Sequence, residues 1–163
     1  YLQMISYKTV VLLGCSLAMG AIVAGAKDTQ VQHCYDIGVS IGEAFQLRDD
    51  YLDAFGNQEH FGKSIGGDIW ANKKTILYVL ALKNADEKGK AKLLKLFSNT
   101  DKTQDKVEQV TAVYHQFKVP EAVKAMIEDK TTLALGLVGE LSIDVQYKEV
   151  FHTFIKTLMQ REV

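Results

Sequence analysis

The sequence predicts an all-α protein. Three observations carry this. Apolar residues recur at i, i+3, i+4 and i+7 along most of the chain. Helix-favouring Ala, Leu, Lys, Glu and Gln fill the stretches between them, with a single proline in 163 residues. No run alternates apolar and polar residues as a half-buried strand would.

The elements follow in order. A first helix covers the start of the chain to about residue 24, ended by Gly25 and a short AKDTQ turn. A second runs from about 31 to 55, with Cys34, Ile37, Gly38, Ile41, Phe45 and Leu52 at helical spacing. Residues 56–67 are rich in Gly with Asn57 and Ser64, and read as a loop. A third helix begins near Asp68, which serves as its cap or first-turn carboxylate, and continues through KKTILYVLALKNA. Further helices cover about 87–98 and 103–117, the latter with Val107, Val110, Val113, Tyr114 and Phe117 in one stripe. Pro120 stands at the first position of a helix reaching about Leu141, where its missing N–H costs nothing. YKEVFHTFIKTLMQRE forms a last amphipathic helix. The whole, residues 1–163, reads as one part of a single helical domain.

The apolar stretch TVVLLGCSLAMGAIVAGA, residues 9–26, carries no charge and approaches the length of a membrane span. The segment before it is periodic and apolar rather than a basic leader, so we expect a soluble helix buried on all sides and no transmembrane segment. Cys15 and Cys34 lack CxxC spacing and are expected to be small buried hydrophobes in a reducing, cytoplasmic compartment. The four histidines are far apart, and no zinc site is expected. A net charge of −1 argues against a nucleic-acid partner.

The chemistry concentrates in QLRDDYLDAFG and in the glycine- and lysine-bearing segment after it. With about 100° per helical residue, Gln46, Asp49, Asp50 and Asp53 share one face within about a quarter turn. Like charges so close need a counter-cation or wide solvation. An EF-hand is excluded, since it needs alternating acids and a central Gly on a loop. Magnesium fits better, because it takes one or two protein carboxylates and completes its shell with waters and substrate phosphates. Lys63, in FGKSIGG, and Lys73 stand just beyond and suit phosphate oxygens. The spacing is not that of a P-loop.

Phe45, Gln46, Asp49, Asp50 and Asp53, followed by Gly62, Lys63, Asp68 and Lys73, resemble the pattern FQxxDDxxD…GKxxGxDxxxxK, the second aspartate-rich region of the trans-isoprenyl diphosphate synthases. SYKTVVL upstream is similar to the family's K-T helix, with Lys8 and Thr9 in the matching places. The resemblance implies an isoprenoid-synthase-type helical bundle. It also implies Mg2+-dependent head-to-tail condensation of isopentenyl diphosphate with an allylic prenyl diphosphate, in a homodimer. On this pattern Asp49 is the most direct metal ligand, with Asp50 and Asp53 acting directly or through waters. Lys8, Lys63 and Lys73 contact diphosphate. Thr9 and Gln46 lie beside the developing cation, and Phe45 and Asp68 support the site.

The family's first aspartate-rich motif has no counterpart in this sequence, whose other aspartates are isolated. Arg48 and Arg161 are its only arginines, too few for the arginine pair and basic substrate site that accompany that motif. The chain therefore reads as the C-terminal half of such an enzyme, inactive by itself. The alternative is a non-catalytic helical partner subunit or a degenerate family member.

Overall fold

The computed structural model describes residues 1–56 and 65–160. The helices are α1 (Leu2–Ile5), a π-helical turn (Ser6–Val10), α2 (Val11–Val23), α3 (Asp28–Phe55), α4 (Gly67–Trp70), α5 (Ile76–Asn84), α6 (Glu87–Ser98), α7 (Gln104–Gln116), α8 (Val119–Glu140) and α9 (Val145–Gln160). There is no strand among the described residues. They group into two compact units, one of Tyr1 with residues 47–125 and one of residues 2–46 with 126–160.

In the first unit α4 packs on α7, α5 on α6 and α7, and α6 on α7. The stripe expected on α7 is the core of this unit: Val107, Val110, Val113 and Tyr114 are all buried, against Leu77, Leu93 and Ala81 at similar depth. Caps set the helix starts. Asp86 accepts the Gly89 N–H at 2.7 Å, and Thr103 accepts the Lys106 N–H at 3.3 Å, each satisfying one otherwise unpaired first-turn donor. Pro120 lies in the first turn of α8, as its chemistry requires.

The expected third helix is divided. Four residues of α4 are followed by a turn in which Asn72 takes the left-handed conformation, φ 53°, before α5 starts at Ile76. Asn is among the few residues with a side chain that enter this region readily. Helical periodicity continues across the break, so pattern alone does not disclose it.

In the second unit α2 and α3 approach at their glycines. A Cβ on Gly38 would stand 2.6 Å from the Leu13 carbonyl oxygen and 2.7 Å from the Gly14 Cα. Val10, Ile37, Ala44, Ala134, Val138 and Ile155 are buried in this unit. Lys130 pairs with Glu43 at 2.6 Å, and the Ser142 N–H donates to the Gln30 side-chain oxygen.

Three expectations for this unit are corrected. The first helix is not uniform, because the Val11 N–H reaches five residues back to the Ser6 carbonyl and makes a π-helical turn. The apolar helix is not buried on all sides: Leu12, Met19, Ile22 and Val23 are 59–89% exposed. The segment Leu2–Val23 is long and apolar enough to cross a membrane by length and composition, with mean hydropathy 1.6 and 17% of its best window buried. Composition reports how apolar a helix is, not how many neighbours the chain supplies to it. Cys15 and Cys34 are only half-buried for the same reason, though desolvation still raises the Cys34 thiol above its ordinary range.

Candidate active site

The aspartate-rich turn lies in the last part of α3, unbroken through Phe55. Its three carboxylates have different surroundings. Asp49 is exposed. Asp50 is 9% exposed, and its Oδ2 accepts both the Tyr1 hydroxyl and, at 3.2 Å, the Ile76 N–H that opens α5. Asp53 is half-buried and ties the end of the loop to the helix. Its carbonyl accepts the Gly66 N–H at 2.6 Å, and its Oδ2 accepts the Asp68 N–H at 2.9 Å.

Gly66 permits this return. Its φ is 86°, and a Cβ there would meet the Val107 side chain at 2.6 Å. A residue other than glycine would face both the left-handed backbone cost and a clash with a core valine. Asp68 follows in the first turn of α4 and forms an ion pair with the Lys73 ammonium, while the Lys73 N–H donates to the Asp68 carbonyl at 2.9 Å.

The field is strongly negative. Burial pushes Asp50 up to about 6, with Asp68 and Asp49 adding to the rise and the Tyr1 and Ile76 hydrogen bonds opposing it. Burial also raises Asp53, against the pull of the Asp68 N–H and the Lys73 charge. The hydrogen bond to Asp68 leads the rise at Lys73. Desolvation, then Asp50, holds the Tyr1 phenol far above its usual range.

Among the described residues no three His, Cys, Asp or Glu side chains are gathered closely enough to hold a metal ion by themselves. The donor set nevertheless suits a hard cation that needs only one or two carboxylates. Asp49 is open to solvent, and its neighbours' mutual repulsion would be relieved by positive charge. Lys63 lies outside the described residues, as does the glycine-rich segment around it.

Lys8, Thr9, Phe45 and Gln46 belong to the second unit, the carboxylates and Lys73 to the first. Lys8 and Thr9 stand on the π-helical turn, Lys8 exposed and Thr9 half-buried. Such turns occur frequently at functional sites. Sequence reasoning missed Tyr1, Asn72 and Lys106, which brace the acidic face or the turn bearing Lys73. Only Asn72 carried a signal, its tolerance of left-handed backbone.

The polyprenyl synthetase family profile matches residues 1–114. The short chain isoprenyl diphosphate synthase of Methanothermobacter thermautotrophicus is 32% identical over 134 residues, 82% of this chain and 41% of that protein. Heptaprenyl diphosphate synthase component 2 of Bacillus subtilis is 34% identical over 125 residues, 77% of this chain and 34% of that protein. A crystal structure of a geranylgeranyl pyrophosphate synthase superposes on the whole chain with TM-score 0.90 and 41% identity, covering 51% of that structure's chain. The chain thus spans about half or less of the length of the relatives it matches. The all-helical isoprenoid-synthase fold is common to them, and by this match the chain belongs to the polyprenyl synthetase family.

Proposed function

We propose that these residues form the second aspartate-rich half of a prenyl diphosphate synthase site. The reaction would join isopentenyl diphosphate head-to-tail to an allylic prenyl diphosphate. The observation that carries this reading is the acidic turn of α3 with the Asp68–Lys73 pair folded back onto it through Asp53. A carboxylate face with its own repulsion suits a cation that bridges to a second polyanion. Lys73, near the acidic turn, suits the diphosphate oxygens that such a cation leaves uncovered.

In this reading Asp49 holds the metal most directly, with Asp50 and Asp53 acting directly or through waters. Mg2+, when bound, would neutralise charge on the departing diphosphate. Lys8, Lys63 and Lys73 bind diphosphate oxygens and lower the barrier to charge separation. Thr9 and Gln46 turn oxygen dipoles toward the allylic carbon as positive charge develops there. Isopentenyl diphosphate then attacks through its double bond, and loss of a proton completes the condensation. Apolar helices keep water from the cation.

The sequence carries one aspartate-rich motif, so we expect these 163 residues alone to bind diphosphate weakly and not to turn over. The whole protein would work as a cytoplasmic homodimer. A second reading, a helical partner subunit, is favoured by the likeness to a relative named as one component of a synthase.

The test is Asp49→Ala in a chain carrying both aspartate-rich motifs. We expect kcat/KM for the allylic substrate to fall by about a hundredfold or more, with the magnesium requirement raised. Unchanged turnover would refute the assignment of Asp49.

A further inference from the structure

Lys106 is a cation in an unusual place. It stands in the first turn of α7, is 2% exposed, and directs its ammonium at two neutral oxygens: the Asn72 side-chain oxygen at 2.7 Å and the Asn99 carbonyl at 2.6 Å. Its ring neighbour is Phe97, with the nitrogen 6.0 Å from the centroid. Burial pulls the ammonium below the ordinary lysine range, offset only in part by Asp101. Burying an ammonium costs desolvation energy that a surface lysine avoids. What that cost secures is the turn between α4 and α5.

The Asn72 amide is gripped at both ends. Its oxygen accepts from Lys106, and its nitrogen donates to the Asn99 carbonyl at 3.0 Å. The Trp70 indole N–H donates to the Thr103 carbonyl at 3.0 Å and holds the preceding residues to the same loop. With its side chain held and its backbone at φ 53°, Asn72 fixes the direction in which the chain leaves it. The next residue is Lys73, whose N–H and ammonium both meet Asp68, and Asp68 in turn meets Asp53. A continuous path therefore runs from buried Lys106 to the acidic turn.

We propose that Lys106 is a positioning residue for diphosphate binding: by holding the Asn72 amide it sets the turn from which Lys73 reaches Asp68, and so where the Lys73 ammonium stands. This rests on the reading of Lys73 as a diphosphate contact.

The whole chain serves for the test, with inorganic pyrophosphate and magnesium as the probe. Lys106→Met keeps the unbranched stem out to Cε and removes the ammonium with its donors. In this variant amide exchange at Lys73, read by NMR, should quicken about tenfold while the α7 core amides hold. Pyrophosphate affinity, followed by 31P NMR, should fall about tenfold. In a Lys73→Met background, Lys106→Met should cause no further loss of affinity. Unchanged exchange at Lys73 in a folded Lys106→Met protein overturns the proposal. So does a further loss in the Lys73→Met background, which would make Lys106 merely structural. Should Lys106→Met not fold, Asn72→Gly permits the same backbone, removes both side-chain bonds and is read in the same way. Faster exchange with no pyrophosphate binding by any form would overturn the diphosphate reading, and the proposed role with it, while leaving the hold on the turn intact.

Discussion

The Tyr1 hydroxyl donates to the Asp50 carboxylate across 49 positions of sequence, and the same carboxylate oxygen accepts the Ile76 N–H. One side chain of the aspartate-rich turn is thus also a joint, holding the first residue and the start of α5 to α3. Its burial makes it a source of pH-dependent stability.

Asp50 has a folded pKa near 6 against an ordinary 3.8. The native state therefore holds a proton that the unfolded state has released, and stability falls as pH rises from about 4 to about 6. Above that range a shift of this size corresponds to at most about 3 kcal/mol of lost stability. Asp50→Asn keeps an oxygen for both donors and removes the charge. We expect it to be more stable than the unmodified chain at pH 7 and similar at pH 4, in urea unfolding with chelator present. An unaltered pH slope in the variant would contradict this account of Asp50.

Tyr1→Phe removes one of the two donors that oppose the rise at Asp50. At pH 7 the loss of a hydrogen bond to a charged acceptor should cost about 1–3 kcal/mol. At pH 4 Asp50 is protonated in the native state, and the cost should shrink. Equal costs at both values would mean that the phenol contributes packing alone.

Glycines in helices should respond in opposite directions. An added methyl at Gly38 meets the Leu13 carbonyl and Gly14 backbone at 2.6–2.7 Å, atoms that cannot swing aside. Gly38→Ala should destabilise by about 1–3 kcal/mol. Gly136, in α8, has nothing within 4 Å of the same position, and Gly136→Ala should stabilise by about 0.5–1 kcal/mol. Thermal melts of the pair would test the close approach of α2 to α3.

The exposed apolar residues of α2, Leu12, Met19, Ile22 and Val23, should drive self-association of the chain. Sedimentation velocity at rising concentration should show it, and Leu12→Lys with Ile22→Lys should reduce it. A monomer at every concentration would count against an adhesive face.

The helices and the acidic turn were readable because each rests on local rules. Periodicity marks α3, α6 and α7. The starts expected near residues 87 and 103 lie within one residue of those observed. The spacing of Asp49, Asp50 and Asp53 puts them near one another on any helix. The π-helical turn under Lys8 and Thr9 was not readable, because the altered hydrogen bonding of these five residues leaves the apolar pattern of residues 2–23 intact. The division at Asn72 was hidden likewise, within a stretch whose apolar spacing runs on past it.

The sequence by itself determined the all-helical class, the family resemblance and the acidic face, because helix geometry converts spacing into placement without reference to the rest of the chain. Tertiary structure decided what each charge does. Asp49 is open and Asp50 buried because α5 and Tyr1 close over one side of the turn. Lys73 is paired and Lys106 buried because the α4–α5 turn and the start of α7 meet through Asn72. Solvation and partners set the energy of a charged side chain, and both come from residues distant in sequence.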